Sequence, residues 1–159
     1  MDFMEGKNRI LLVISSERDW QKPTDAALKI ASEKSANLHI LYILEETGIS
    51  YLDRLNETEF LSKKTSSDLT QALIREKRQS AYAAVEKIIE LANRKNISVK
   101  STVIAGDIID LTEKYAKEPP ANEIIISWSE ESYLKKFFKG DLIERLRKTT
   151  NIPVIAITD

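Results

Sequence analysis

Five short apolar runs recur along the chain: RILLVIS (9–15), NLHILYIL (37–44), ISVKSTVIAG (97–106), NEIIISW (122–128) and IPVIAIT (152–158). Between them lie longer stretches with helical spacing, and this alternation constrains the fold more than any other feature of the sequence. Runs of this length suit strands better than helices, and near-continuous apolar character is what a strand buried on both faces needs. Strands that alternate with helices join through right-handed crossovers into a mostly parallel sheet. The chain therefore reads as α/β. The run at 97–106 differs from the others. Its first residues alternate apolar with polar, as on an edge or half-exposed strand.

The intervening stretches carry their own signals. In KPTDAALKIASEKSA, Ala26, Ala27, Ile30 and Ala31 have helical spacing, and Pro23 suits a first turn. Residues 45–66 are mixed and polar, a loop with a short helical piece. From Ser67 to Asn96 one long helix is expected, with Leu69, Leu73, Ala84, Ile88 and Leu91 as its apolar stripe. Asp68 favours its start, and Arg94 and Lys95 favour its end. Such a helix would be about 40 Å long at about 1.5 Å per residue. That is more than a small domain is wide, so its first turns should project or break. DIIDLTEKYAKE should form a short helix that stops before Pro119 and Pro120. GDLIERLRKTTN should form another, with Asp141 near its first turn as a cap.

Composition narrows the functional classes. A chain of 159 residues suits one domain, 1–159, with a real core. A formal net charge of −1 gives no electrostatic pull toward nucleic acid or an anionic membrane. The absence of cysteine excludes a disulfide framework, a thiolate metal site and a cysteine nucleophile. MDFMEGKNR is too polar for a signal peptide, and no apolar run reaches the roughly 20 residues that span a bilayer. A cytoplasmic location is the expectation that follows.

In an open α/β sheet, ligands bind beyond the carboxyl ends of the strands, where the strand order reverses. The residues that follow the strands are therefore the candidates. Ser15, Ser16, Glu17 and Trp20 follow the first, Gly106 and Asp107 the third, and Ser127, Trp128 and SWSEESYLKKFFKGD the fourth. These segments converge if the first and fourth strands are neighbours.

In order and spacing, RILLVISSE, the Ala-rich first helix, NLHILYIL, the AGD after the third strand, NEIIISW, LKKFFKGDLIERL and IPVIAI together resemble the universal stress protein family across nearly the whole chain. The resemblance implies a flavodoxin-like or Rossmann-like three-layer sandwich with a five-stranded parallel sheet, usually dimeric through the last strand. One branch of that family binds ATP or a related adenine nucleotide through a loop of the form Gly-x-x-Gly, nine residues, then Gly-Ser or Gly-Thr. The same branch has an Asp at the end of the first strand. Carried onto this sequence, those positions are Ser127, Glu130, Gly140 and Asp141 in the loop and Ser15 on the strand. Only Gly140 keeps the family residue. Gly106 completes the set of family nucleotide-site positions.

These departures weigh against a phosphate loop. Glycine permits positive φ and a close backbone approach, which Ser127 and Glu130 restrict. A helix start binds anions through free N–H groups and the positive dipole end, where Asp141 would bring its own carboxylate. Glu130 and Glu131 add like charge, which Lys135, Lys136 and Lys139 offset in part. The segment 129–139 has the pattern of a helix instead, with Ser129 as cap, glutamates in the first turn and lysines in the last. Leu134, Phe137 and Phe138 would then pack inward.

Other residues carry less chemistry. His39 lies near the start of its strand, away from the carboxyl-end crevice, which suits a structural role. Ser15 and Ser16 have no adjacent base to make either a nucleophile. Glu17 and Asp19 read as solvated carboxylates, and REKRQ as a charged helix face with i,i+4 pairs. Trp20 and Trp128 read as packing residues, with Trp128 placed to fill a crevice that would otherwise hold an adenine. The last strand, if it is an edge, has unpaired backbone that a second copy would cover, through Ile152, Val154, Ile155 and Ile157. The expectation is a non-enzymatic, dimeric regulatory or binding protein of the stress response without tight ATP binding and without a cofactor. The alternatives are an ATP or AMP sensor with a modified loop, and an interaction module that regulates a transporter or kinase.

Overall fold

In the computed structural model, residues 8–16, 18–45, 63–128 and 139–158 are described. Five strands, β1 (Arg9–Ser15), β2 (Asn37–Leu44), β3 (Val99–Ala105), β4 (Glu123–Trp128) and β5 (Val154–Thr158), form one sheet in the order β3-β2-β1-β4-β5. Every pairing is parallel. Among the described residues, four helices connect or flank them: α1 (Gln21–Lys34), α2 (Lys63–Arg94), α3 (Ile108–Lys117) and α4 (Lys139–Thr150). This is the expected flavodoxin-like three-layer arrangement.

The strand period of two sorts side chains into two cores. Ile10, Leu12 and Ile14 of β1, with Leu38, Ile40, Tyr42 and Leu44 of β2, face Ala27, Leu28 and Ala31 of α1 and Ala81, Val85 and Ile88 of α2. Leu11, Val13, Leu41 and Ile43 point the other way, with Ile124, Ile126 and Trp128 of β4. They meet Ile108, Ile109 and Ala116 of α3 and Leu142, Ile143 and Leu146 of α4. β1 and β2 are buried along their whole length, as their continuous apolar runs require. β3 is an edge strand with half-exposed side chains, which accounts for its alternation.

The long helix is continuous and begins earlier than its sequence suggested. It includes Lys63 to Ser66, which had read as loop, and at 32 residues it is about 48 Å long. Asp68 therefore lies inside the helix rather than at its start. From residue 71 to 80 no side chain is fully buried, and Ala81, which follows, is. Residues 71–80 are thus more exposed than the carboxyl-terminal half that packs on the sheet. Its stripe is also corrected: Leu69 is exposed, while Val85 and Ala92 join Ala84 and Ile88 in the core.

The side chains of the edge strand β5 and the residues before it divide between the core and the surface. Val154 is buried against α4 and Ile152 is partly buried with it, so both serve the protomer's own core. Ile155 is 38% exposed and Ile157 is half-buried. These two lie on the same face of β5, beside its free backbone edge.

Candidate functional site

The strand order reverses between β1 and β4, so their carboxyl ends flank the switch point. Ser15 is the last residue of β1 and Trp128 the last of β4. Glu45 follows the last residue of β2 on β1's other side. All three lie on the side of the sheet that α3 and α4 cover. For Trp128 this follows from its core partners, and for Ser15 and Glu45 from the period of two.

The turn after β1 supplies the fourth group. Arg18 lies back across these strand ends with a fully buried side chain (0% exposed). Its Nη2 donates to Glu45 Oε1 at 2.9 Å and its Nε to Oε2 at 3.2 Å, a two-point contact with one carboxylate. Ser15 Oγ donates to the same Oε2 at 2.6 Å. The central carbon of the guanidinium, Cζ, lies over the Trp128 ring, 4.7 Å from its centroid. Trp128 itself is 1% exposed. A buried arginine paired side-on with a carboxylate and stacked on indole satisfies charge, hydrogen bonding and apolar contact together. Of the Arg18 guanidinium nitrogens, Nη1 has no hydrogen-bond partner.

Three further contacts fix the turn that carries Arg18. Ser127 Oγ donates to the Asp19 carbonyl at 2.7 Å, on the opposite face of β4 from Trp128. The Ser16 and Arg18 amides donate to the Ile43 and Ser15 carbonyls. Ser127 is fully buried inside a strand, where its hydroxyl ties down the β1–α1 turn.

The other expected site positions divide. Gly106 follows β3, has φ +152° and donates its N–H to the Leu44 carbonyl, next to Glu45. A Cβ there would stand 2.9 Å from Leu111 Cδ1, so both backbone and space favour glycine. Asp107 is the N-cap of α3 and accepts from the Asp110 amide at 2.9 Å. Gly140 and Asp141 lie in the first turn of α4. Glu17, Glu130 and the segment 129–138, with the choice between helix and phosphate loop, fall outside the described residues.

The two tryptophans do not converge. Trp20 precedes α1 and packs on the α1/α2 side, beside a cavity of about 280 Å³ walled by Lys87 and Arg94. Trp128 lies on the other side of the sheet. Sequence reasoning named Ser15 and Trp128 but missed Glu45 and Arg18. Glu45 is the first charged side chain after eight residues of buried strand, and the rule applied to the ends of β1, β3 and β4 would have found it at the end of β2.

At the opposite end of the sheet, a second buried polar cluster surrounds His39, which is 2% exposed. Arg9 Nη2 contacts its Nδ1 at 2.7 Å, and its Nε2 lies 2.9 Å from Thr102 Oγ1. Arginine can only donate, so Nδ1 accepts and the proton sits on Nε2. Arg9 also donates to the Tyr115 and Pro119 carbonyls. Burial, with help from the Arg9 and Lys100 charges, lowers the His39 pKa to about 4. This cluster joins β1, β2, β3 and α3 and is structural, as the position of His39 had suggested.

Comparisons with known proteins agree with this architecture. The chain is similar in structure to the universal stress protein UspA from Lactobacillus plantarum, with a TM-score of 0.69, 17% identity, and 96% of this chain and 99% of that chain covered. It is also similar to a universal stress protein family member from Burkholderia pseudomallei, at TM-score 0.61, 18% identity and 97% and 98% coverage. A third structure, of a universal stress protein in complex with cAMP, matches at TM-score 0.59 and 13% identity over 96% of this chain and 98% of that one. No curated protein matches the sequence. Residues 7–158 match the Universal stress protein family, and the chain belongs to that family.

Proposed function

We propose that this chain is a regulatory binding protein of the universal stress protein family that works without tight ATP binding, as a cytoplasmic homodimer and not as an enzyme. The observation that carries the reading is the Arg18–Glu45–Trp128 stack. It fills the carboxyl ends of β1, β2 and β4, the place where a nucleotide would enter this fold. The arrangement of the described residues supports this reading. A purine ring would have to displace a fully buried guanidinium, and Glu45 and Trp128 would lose their partner. The family's glycines are also replaced at Ser127 and Glu130. Ser127 uses its hydroxyl for the turn, and a glycine there would forfeit that bond.

A sensor for an adenine nucleotide is the second reading. It is favoured by the similar structure that holds cAMP. Calorimetry of the nucleotide-stripped protein with ATP and Mg²⁺, and separately with cAMP and AMP, decides between them. The expected result is no saturable heat with any of the three. Micromolar binding, about −8 kcal/mol, would overturn the first reading and establish the second.

A further inference from the structure

Glu45, Ser15 and Trp128 have the composition of a receptor for a planar cation. The Glu45 carboxylate presents both oxygens to one fork edge of a guanidinium. Ser15 donates to Oε2 and so fixes the plane and rotation of that carboxylate. The indole of Trp128 supplies the flat face a delocalised cation prefers. An ammonium matches neither the fork nor the face as well, because it is a compact point charge with a tight hydration shell. The group that occupies this receptor comes from the connection between β1 and α1, not from a strand or helix. The receptor and its occupant are therefore separable parts. The receptor is fixed by three adjacent strands, and the occupant is held by a short turn.

We propose that Glu45, Ser15 and Trp128 form a guanidinium-recognition slot whose resting occupant is the chain's own Arg18, and that the slot binds a guanidinium-bearing small molecule once Arg18 is withdrawn. The slot's chemistry rests on these contacts and not on whether the protein binds ATP. Arg18 is then an internal ligand. Its tether gives it a high effective concentration, so an external guanidinium competes poorly with it in the intact protein.

Chemical rescue of Arg18→Ala tests this. The truncation removes the guanidinium from the Glu45 carboxylate, which keeps its Ser15 hydrogen bond, and from over the Trp128 ring. Methylguanidinium should raise the melting temperature of Arg18→Ala saturably, by about 3–6 °C at roughly tenfold excess over its Kd. Methylammonium at equal concentration should not, and neither salt should raise that of the wild type. Adding Glu45→Gln to the variant should abolish the rise. If Arg18→Ala does not fold in buffer, its refolding yield in methylguanidinium against methylammonium gives the same comparison. Arg18→Lys offers a further background that retains the charge and lacks the fork. Equal effects of the two cations, or a rise that survives Glu45→Gln, would overturn the slot.

Discussion

Acidification from about pH 7.5 to about pH 4 should weaken the fold by about 3 kcal/mol through His39 alone. In the unfolded chain its pKa is 6.5, and burial beside Arg9 and Lys100 lowers it to about 4 in the folded state. Above 6.5 the imidazole is neutral in both states and contributes no pH dependence. Below it the unfolded chain takes up the proton first, and each pH unit weakens folding by about 1.4 kcal/mol. This continues until the folded state protonates near pH 4, an interval of about 2.5 units. The structural reason is that a proton on Nδ1 would face the Arg9 Nη2 donor at 2.7 Å, with no acceptor between them. Thr102 and the edge-on Tyr115 ring offer no negative charge in compensation. His39 is the chain's sole histidine, so little else titrates between pH 7 and about pH 5. The assay is urea unfolding across this range for wild type and His39→Gln. The carboxylates titrate in both proteins and cancel in the difference. The stability of wild type relative to the variant should fall by about 3 kcal/mol as the pH drops, and imidazole nitrogen shifts should place the proton on Nε2 at neutral pH. A difference that stays flat within about 1 kcal/mol would refute the reading of a buried, neutral His39.

Two further outcomes follow from the edges of the fold. Ile155→Lys puts a charge on the exposed apolar face of β5, beside its free backbone edge, and should give a folded monomer by light scattering if β5 pairs two copies. A well-folded dimer of that variant would place the interface elsewhere. Asp107→Ala removes the cap on the Asp110 amide and should lower stability by about 1 kcal/mol in denaturant unfolding, while Asp107→Asn should recover most of it. Equal losses in the two variants would mean that the charge, not the cap, matters there.

The sequence carried the architecture because its signals are local. The unbroken apolar runs of β1 and β2 require burial on both faces. The alternation in β3 marks an edge, and the alternation of strand and helix fixes handedness and parallel pairing. The inner half of α2 was legible from Ala84 and Ile88. Its outer half was less so, because Lys63 to Ser66 carry polar residues that read equally as loop. The structural role of His39 could be placed from its position on β2, but its partner could not. Arg9 lies thirty residues away in the chain and meets His39 only because β1 pairs with β2 in register.

The sequence by itself determined the family, the layer order, and the loss of glycine at two of three family positions, since these depend on residue identity and spacing along one chain. Only the tertiary structure decided what the switch point holds. Ser15 and Arg18 lie around the end of β1, and Glu45 and Trp128 come from the ends of two other strands distant in sequence. Their meeting depends on three adjacent strands ending together and on the direction in which one turn folds back. A buried ion pair stacked on indole is a property of that convergence, and the pattern of residues along the chain has no way to encode it locally.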